Sequence, residues 1–246
     1  MKVIILAAGR GSRMGKKTAN LPKCLMELGG KTLLERCIDT LQAAGIESSE
    51  IAIVTGYRRE AITIKGVHYF HNDDWENTNM FVSLTKASEW LTKEPCIVSY
   101  ADIVFSPDVI RKLDCATSEF AITYYTGFWK LWSKRFENPL DDLETFKMQD
   151  GKLVEIGMKP FSKEDVQGQY MGLLRFTPSG WEKIEEAIKL PMPKTVAKLD
   201  MTTLLQHLIN HGNTIETIGT DDLWLECDNQ NDIEVYEKEY SWFLYK

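Results

Sequence analysis

The stretch Lys2–Leu25, KVIILAAGRGSRMGKKTANLPKCL, determines how the rest of this chain is interpreted. The apolar run Val3–Leu6 leads into small residues, glycines and then a basic segment. Glycines let backbone N–H groups approach a ligand closely, and the bases add positive charge, so a polyphosphate is the expected guest. We predict a buried strand that ends in a phosphate-binding loop; the alternative is an ordinary solvated basic loop. The residues concerned are Gly9, Gly11, Gly15, Arg10, Arg13, Lys16, Lys17 and Lys23.

This loop differs from two common nucleotide-binding loops. A dinucleotide fingerprint requires G-x-G-x-x-G and an acidic residue closing the second strand, whereas here the third glycine is Gly15 and the second predicted strand ends at Thr55-Gly56. A Walker loop requires G-K-[ST] at a spacing that this stretch lacks. The remaining interpretation is a triphosphate cradle of another kind, with Arg13 and Lys23 as its cations.

Composition limits the class of protein. The 246 residues favour one domain, and the net charge of -7 argues against nucleic-acid or membrane partners. The five cysteines are scattered and odd in number, which fits a reducing compartment. The first apolar run is too short for a signal peptide, and the sequence carries no stretch that would span a membrane. We therefore expect a cytoplasmic protein with a local basic site.

The first half of the chain alternates strands with helices, which predicts a mostly parallel sheet covered on both faces. Ligands bind such sheets at the carboxyl ends of the strands, where the glycine loop and Asp102 lie. Thr32 and Glu35 form a predicted capping box. The predicted strands are Val3–Leu6, Ile51–Thr55, Val67–His71 and Cys96–Tyr100, and the predicted helices are Thr32–Ala44, one starting at Tyr57–Arg59, Asn79–Leu91 and one opened by Ser106-Pro107.

The second half predicts an antiparallel extension. Asp150-Gly151 is a hairpin turn, and the aromatic and charged segment Thr126–Asp142 is interpreted as irregular. His207 and His211 have metal-ligand spacing without a third ligand, so we interpret them as structural. The predicted strands are Phe120–Tyr125, Leu143–Met148, Lys152–Gly157, Gln169–Phe176 and Thr214–Ile218, with helices at Pro178–Ile188, after Asp200 and at the end of the chain.

Three motifs resemble one family. LAAGRGSRM (Leu6–Met14) followed by LPKCL (Leu21–Leu25) resembles the signature of nucleotidyltransferases that couple a nucleoside triphosphate to a sugar phosphate or a small phosphorylated alcohol. Asn77-Thr78-Asn79-Met80 with Ser83-Leu84 is similar to the N-N-x-x-S-L segment of the phosphocholine cytidylyltransferase branch, with threonine in place of the second asparagine. QGQYMGLLRF (Gln167–Phe176) also resembles that branch.

The resemblance implies a fold and a domain organisation. The expected fold is α/β, a Rossmann-like three-layer sandwich with a mixed, mostly parallel central sheet and a smaller antiparallel extension. One domain would span residues 1–246, with a nucleotide-binding half at 1–118, an acceptor-binding half at 119–228 and a closing C-terminal helix at 229–246.

The resemblance also implies the reaction site. Asp102 and Asp228, with Glu226 beside the latter, would hold Mg²⁺, an ion that prefers hard oxygen ligands. Arg13, Lys23 and Lys159 would be the catalytic cations, with Lys159 on the acceptor phosphate; for Lys159, a solvated loop lysine is the alternative. The implied nucleotide-binding residues are Leu6, Ala8, Gly9, Gly11, Ser12, Arg13, Lys23, Asn79, Ser83 and Asp102.

The acceptor is expected to be small and polar. Sugar-transferring members of the family place a glutamate before the lysine that matches Lys159, but here the residue is Met158, which argues against a hexose phosphate. Aromatic faces and carboxylates bind cationic heads. Tryptophans at such spacings are also common core residues. The predicted acceptor-binding residues are Lys159, Tyr124, Trp129, Tyr170 and Glu226, with further candidates at Trp132, Trp181, Trp224, Asp141, Asp142 and Glu144.

The sequence therefore predicts a cytidylyltransferase, monomeric or homodimeric. It would join CTP to a small phosphorylated amino-alcohol or similar acceptor, with release of pyrophosphate. Two alternatives stay open at this point: a sugar-phosphate nucleotidyltransferase that uses another base, and a catalytically silent nucleotide-binding regulator.

Overall fold

The computed structural model describes residues 1–245, without the side chains of Lys16 and Lys17. The predicted roles of these two lysines, and the last residue of the predicted closing helix, Lys246, lie outside the described residues. The strands are β1 (Lys2–Ala7), β2 (Glu27–Leu28), β3 (Lys31–Thr32), β4 (Ile51–Thr55), β5 (His68–His71), β6 (Cys96–Tyr100), β7 (Ile103–Val104), β8 (Phe120–Tyr125), β9 (Phe146–Gln149), β10 (Lys152–Ile156), β11 (Gln169–Phe176), β12 (Glu216–Thr220) and β13 (Leu225–Glu226). The helices are α1 (Leu33–Ala43), α2 (Met80–Thr85), α3 (Ser88–Leu91), α4 (Pro107–Asp114), α5 (Phe128–Arg135), α6 (Pro178–Ala187), α7 (Met201–Asn210), α8 (Gln230–Glu239) and α9 (Ser241–Leu244). Within residues 1–245, no helix is both long enough and apolar enough to cross a bilayer.

One large mixed sheet runs through the described residues, in the order β5-β4-β1-β6-β11-β8-β12-β10-β9. The four strands at one side of this order, β5, β4, β1 and β6, are parallel to one another. β11 is antiparallel to both of its neighbours, so β8 and β12 again point in the direction of β1. The chain leaves β1 towards β4 on one side and returns to β6 on the other. The topological switch point is therefore the space at the carboxyl ends of β1 and β6.

The sheet is buried between two hydrophobic cores. Val3 and Ile5 face the core that contains α1, α4 and α8, whereas Ile4 faces the core that contains α2, α6 and α7. Successive strand residues point to opposite faces, so a strand covered on both faces is apolar throughout. The predicted three-layer arrangement with a mixed, mostly parallel sheet is confirmed.

Local signals place several elements where they were predicted. The Thr32 hydroxyl accepts the Glu35 N–H, and the Glu35 carboxylate accepts the Thr32 N–H at 2.8 Å, which completes the capping box of α1. The Ser106 hydroxyl accepts the Asp108 N–H at the start of α4. Asp150 and Gly151, both at positive φ, form the turn between β9 and β10.

Two predictions for the first half were wrong. The helix expected to start at Tyr57–Arg59 is only a 3-10 turn, Arg59–Ala61, because Arg58 adopts the left-handed conformation. The helix expected at Asn79–Leu91 is broken into α2 and α3, with Ala87 in a non-helical conformation between them. Apolar spacing alone does not report such a break.

Several predictions for the second half were also wrong. The segment interpreted as irregular contains α5, and β11 lies in the middle of the sheet rather than in an antiparallel extension, which consists of the β9–β10 hairpin. The strands predicted at Leu143–Met148 and Thr214–Ile218 are shifted to β9 and β12. The closing helix is divided into α8 and α9.

The irregular part of β11 shapes the switch point. Its register with β8 shifts between Tyr170 and Leu174, and Gly172 at this shift has a φ of 73°. A Cβ at Gly172 would lie 2.7 Å from the ring of Tyr100, the last residue of β6. Only glycine therefore lets the strand pass this ring without strain.

We expect Gly172→Ala to lower the free energy of unfolding by about 3 kcal/mol, since it combines left-handed strain with a ring clash. The matched control is Gly212→Ala, which has a φ of 82° but open space around the added methyl group. Gly212→Ala should lower the free energy of unfolding only by the backbone strain, about 1 kcal/mol. Urea denaturation compares the two variants, and equal losses would show that the contact with Tyr100 is unimportant.

Candidate active site

A cavity of about 340 Å³ lies at the switch point, beyond the carboxyl ends of β1 and β6. The loop after β1 forms one wall, and the start of α2 forms another. All of the predicted nucleotide-binding residues line it, together with the second predicted metal ligand: Leu6, Ala8, Gly9, Gly11, Ser12, Arg13, Lys23, Asn79, Ser83, Asp102 and Asp228.

The cavity also has lining residues that the sequence did not single out for it. Thr78 and Met80 flank the predicted Asn79, so the same motif contained a signal for them. Trp75 comes from the loop before α2, and Tyr100 ends β6; neither carried a local signal for this position. The remaining unpredicted lining residues are Ala7, Cys24 and Ala101.

The glycine loop is held in place from two sides. Gly11 has a φ of 72°, and a Cβ there would lie 2.5 Å from the Cβ of Lys23, so glycine allows the lysine stem to pass. The Thr18 hydroxyl donates to the Gly11 carbonyl at 3.0 Å. Tyr57 donates its backbone N–H to the Ala8 carbonyl at 2.9 Å and its hydroxyl to the Thr18 carbonyl at 3.1 Å. These bonds fix a segment whose 3-10 turns, Ser12–Ala19, are interrupted at Gly15.

The Lys23 ammonium lies between the two predicted metal ligands. Its Nζ is 2.5 Å from Asp102 Oδ2 and 3.0 Å from Asp228 Oδ1. Burial alone would lower the pKa of Lys23, but the charges of Asp102 and Asp228 outweigh it and raise that pKa above its ordinary value. Arg13 adds a second cation, with Nη2 at 2.8 Å from Asp228 Oδ1.

The carboxylate of Asp228 is charged at neutral pH. Burial would raise its pKa, but the neighbouring Lys23 and Arg13 outweigh burial and lower the pKa below its ordinary value. A short antiparallel pair brings this residue to Asp102, since β13 pairs with β7 and the Cys227 N–H donates to the Asp102 carbonyl at 2.9 Å. The sequence positions of the two aspartates contain no sign of this pairing.

The two carboxylates fit a divalent cation. Asp102 Oδ1 is buried and has no hydrogen-bond partner among the described residues, so one oxygen is available to a ligand. Within the described chain, no group of three His, Cys, Asp or Glu side chains forms a metal site by itself. Mg²⁺ commonly takes one or two carboxylates and completes its shell with phosphates and water.

The predicted acceptor-binding residues lie outside the described lining of this cavity. Glu226 is two residues before Asp228, and burial together with the charge of Asp228 raises the pKa of Glu226 to about 8. Tyr170 is buried, with its ring centroid 5.9 Å from that of Tyr100, which does line the cavity. Tyr124 packs on Phe146, with centroids 5.4 Å apart.

In the contacts described for the chain, Lys159 and Trp129 are not brought to Asp102 and Asp228. The Lys159 ammonium donates to the carbonyl oxygens of Leu140 and Asp141, at 2.5 and 2.7 Å. The ring of Trp129 faces the Lys163 ammonium at 4.7 Å. The other candidate tryptophans, Trp132, Trp181 and Trp224, are fully buried in the cores, and the Trp132 N–H donates to Asp142 at 3.0 Å. Asp141 and Glu144 are exposed.

The two histidines, which the sequence indicated as structural, are hydrogen-bonded with backbone carbonyls. A ring nitrogen of His207 is hydrogen-bonded with the Ala187 carbonyl at 2.9 Å, and a ring nitrogen of His211 with the His207 carbonyl at 2.8 Å. The first bond joins α7 to the end of α6, and the second lies at the end of α7.

The sequence matches the MobA-like NTP transferase domain over residues 3–147. The CTP:phosphoglutamine cytidylyltransferase of Campylobacter jejuni is 36% identical over 252 residues, covering 96% of this chain and 98% of that protein. The choline-phosphate cytidylyltransferase of Streptococcus pneumoniae is 38% identical over 104 residues, 41% of this chain and 42% of that protein. The inositol-1-phosphate CTP transferase structure from T. maritima superposes with a TM-score of 0.73 at 20% identity, covering 96% of this chain and 95% of that one.

We expect Lys23→Met to lower the free energy of unfolding at pH 7 by about 3 kcal/mol, because it leaves two mostly buried carboxylates without their shared cation. In the wild type, the Lys23 contribution is present at pH 7 and is lost only as the pH rises through its raised pKa, whereas the Asp228 contribution is lost as the pH falls. In the variant, acid removes the repulsion. The difference between the two proteins should therefore shrink at about pH 4.5.

Urea denaturation at both pH values measures this difference. Lys31→Met is the matched control, since Lys31 pairs with Asp39 on the surface, with more than half of each side chain exposed. Lys31→Met should lower the free energy of unfolding by less than about 1 kcal/mol at either pH. A Lys23→Met loss that is the same at both pH values would contradict the proposed carboxylate repulsion.

Proposed function

Because this chain belongs to the MobA-like NTP transferase family, we propose that it is a cytidylyltransferase that joins CTP to a small phosphorylated amino-alcohol or similar acceptor. The predicted family resemblance is confirmed, and the chain is a nucleotidyltransferase. CTP is the finer part of the proposal, supported by the C. jejuni and S. pneumoniae relatives, whose names both denote cytidylyl transfer.

The observation that carries the proposal is the Asp102–Lys23–Asp228 arrangement beside a glycine loop. It combines paired carboxylates, a buried ammonium and a cationic loop at one end of a cavity. Nucleotidyltransferases of this kind use a divalent metal, and we propose Mg²⁺, held by Asp102 and Asp228. When bound, the ion would neutralise charge on the reacting phosphates.

The proposed reaction places few demands on the protein. A phosphate monoester is anionic near neutral pH, so an acceptor phosphate oxygen attacks the α-phosphorus of CTP without a general base. A new P–O bond forms at the α-phosphorus. The bond between the α-phosphorus and the oxygen that bridges it to the β-phosphorus breaks, and pyrophosphate leaves with the electron pair of that bond. Positioning and charge neutralisation supply the catalysis. Arg13 and the loop amides would hold the β- and γ-phosphates, and Lys23 would contact the α-phosphate.

The base and ribose are proposed to bind at the far wall of the cavity. Asn79 caps α2, with its side-chain oxygen accepting the Met80 N–H at 2.8 Å. Asn72 donates to the hydroxyls of Thr78 and Ser83, at 2.9 and 3.0 Å, which fixes two polar groups of the wall. Ala8 and Gly9 supply backbone on the opposite side.

The acceptor is proposed to bind beyond Tyr100, on the side of Glu226 and Tyr170. Glu226 beside aromatic rings suits an amino or ammonium group on the acceptor, because a positive charge there would lower the raised pKa of Glu226 and favour its carboxylate form. We also propose that Tyr124 and Trp129 contact the acceptor and that Lys159 contacts its phosphate. For Lys159, that role requires exchange of its two carbonyl contacts for the phosphate.

The cellular setting is also proposed. We infer a cytoplasmic, monomeric or homodimeric enzyme whose partners are CTP and the acceptor, without nucleic acid or membrane partners. The net charge of -7 and the absence of a membrane-spanning helix from the described residues are compatible with this setting.

A matrix assay tests the function. CTP, UTP, ATP and GTP are combined with phosphocholine, phosphoethanolamine, phosphorylated amino acids and hexose phosphates, and pyrophosphate release is measured. We expect turnover with CTP and a small nitrogen-containing acceptor. Turnover confined to hexose phosphates would contradict the argument from Met158, and no turnover in any combination would favour a nucleotide-binding regulator.

We expect Asp102→Asn and Asp228→Asn each to reduce kcat by about 100-fold or more, because each removes a charge from the proposed metal site. The variants should remain folded by circular dichroism. Asp39→Asn, which removes a surface carboxylate paired with Lys31, is the control and should leave kcat unchanged. Wild-type turnover in either site variant would remove that residue from the metal site.

A further inference from the structure

Arg135 is a buried cation next to the proposed metal site, and the reaction described above does not use it. It is the last residue of α5, the helix that the sequence did not predict, and its side chain is 0% exposed. A buried arginine is costly unless its donors meet acceptors. The partners of this guanidinium therefore indicate its role.

The guanidinium faces three carboxyl groups. Its Nε is 2.9 Å from Asp232 Oδ1, and its Nη2 is 3.0 Å from Asp232 Oδ2. The same Nη2 is 3.4 Å from Asp228 Oδ2, and Nη1 is 3.7 Å from Glu226 Oε2. Nη1 makes no hydrogen bond among the described residues. The fork thus binds Asp232 tightly and reaches towards both Asp228 and Glu226.

Packing and hydrogen bonds fix the guanidinium from behind. Its Cζ lies 4.5 Å from the ring centroid of Trp132 and 5.1 Å from that of Phe136. Asp232 is itself fixed, since its Oδ2 accepts the N–H groups of Asp228 and Asn229, at 2.8 and 3.1 Å, at the start of α8. Arg135 is therefore a rigid part of the structure that presents two donors to the site.

The two oxygens of Asp228 face different cations. Oδ1 faces Lys23 and Arg13 in the cavity, whereas Oδ2 faces Arg135 behind it. Partners that hold the outer oxygen of a ligating carboxylate set its orientation towards a metal. We propose that Arg135 is a positioning residue that orients Asp228 towards the metal and holds Glu226 beside the acceptor; this inference rests on the proposed function.

The geometry requires arginine rather than lysine. One planar fork spans Asp232 with Nε and Nη2 and extends Nη1 towards Glu226, whereas an ammonium is a point charge that cannot hold this spacing. We therefore expect Arg135→Lys to retain the charge but to lose the orientation of Asp228. Metal affinity reports this loss directly, because a purely structural role for Arg135 would change stability alone.

The test is a titration of purified protein with Mn²⁺, followed by electron paramagnetic resonance of the free ion. Asp228→Asn identifies the signal that belongs to the site. We expect Arg135→Lys to raise the Kd for Mn²⁺ by about 10- to 100-fold. Arg175→Lys is the matched control, since Arg175 is also buried but donates to the Ser118 carbonyl at 3.1 Å and lies beside Ile97, near the start of β6, whereas the cavity lies at the end of β6. It should change the Kd by less than about twofold.

A second variant keeps the test informative if Arg135→Lys does not fold. Asp232→Asn retains the volume and weakens the fixation of Arg135, and it should also raise the Kd. An unchanged Kd in the folded variants, or a wild type that binds no Mn²⁺ at Asp228, would overturn the proposal. Failure of the matrix assay with the Mn²⁺ result intact would instead reject the proposed reaction alone, because metal binding requires neither CTP nor acceptor.

Discussion

The ammonium of Lys23 between Asp102 and Asp228 is the interaction on which the rest of the site depends. Two mostly buried carboxylates repel each other unless a cation lies between them. Lys23 comes from the loop after β1, Asp102 from the end of β6, and Asp228 from the end of β13, so one charge joins three distant segments. The β7–β13 pair and the Arg135–Asp232 contact then hold Asp228 in place. The cavity is ordered because these charges compensate each other.

The switch point explains why the cavity lies at this edge of the sheet. Helical connections leave β1 and β6 in opposite directions, so no crossover covers the space beyond their carboxyl ends. The glycine loop occupies one side of that space, and Tyr100, held against β11 by the bulge at Gly172, occupies the other. In the proposed reaction the nucleotide and the acceptor would meet across Tyr100. Because β11 lies in the middle of the sheet, beside β6, it holds Tyr100 between the two parts of the proposed site.

Agreement between sequence and structure is best where the signal is local. β1 is an uninterrupted apolar run, and the capping box at Thr32 uses side chains three residues apart, so both could be predicted. α5 could not, because Gly127 precedes it without a side-chain cap and its aromatic residues also suit a loop. The break between α2 and α3 likewise has no proline or glycine to mark it. The start of α2 also depends on distant packing, since Asn79 donates its backbone N–H to the Ala197 carbonyl.

The sequence by itself determined the glycine loop, its cations and the kind of ligand they suit, because backbone freedom and charge are properties of neighbouring residues. It also determined the family, since the motifs that carry the resemblance are contiguous. Only the tertiary structure decided that Asp228 meets Lys23, 205 residues away along the chain. It also decided that Arg135 lies behind Asp228 and that Lys159 lies against the carbonyls of Leu140 and Asp141. These contacts arise from strand pairing and helix packing between distant segments, and no local pattern encodes such pairing.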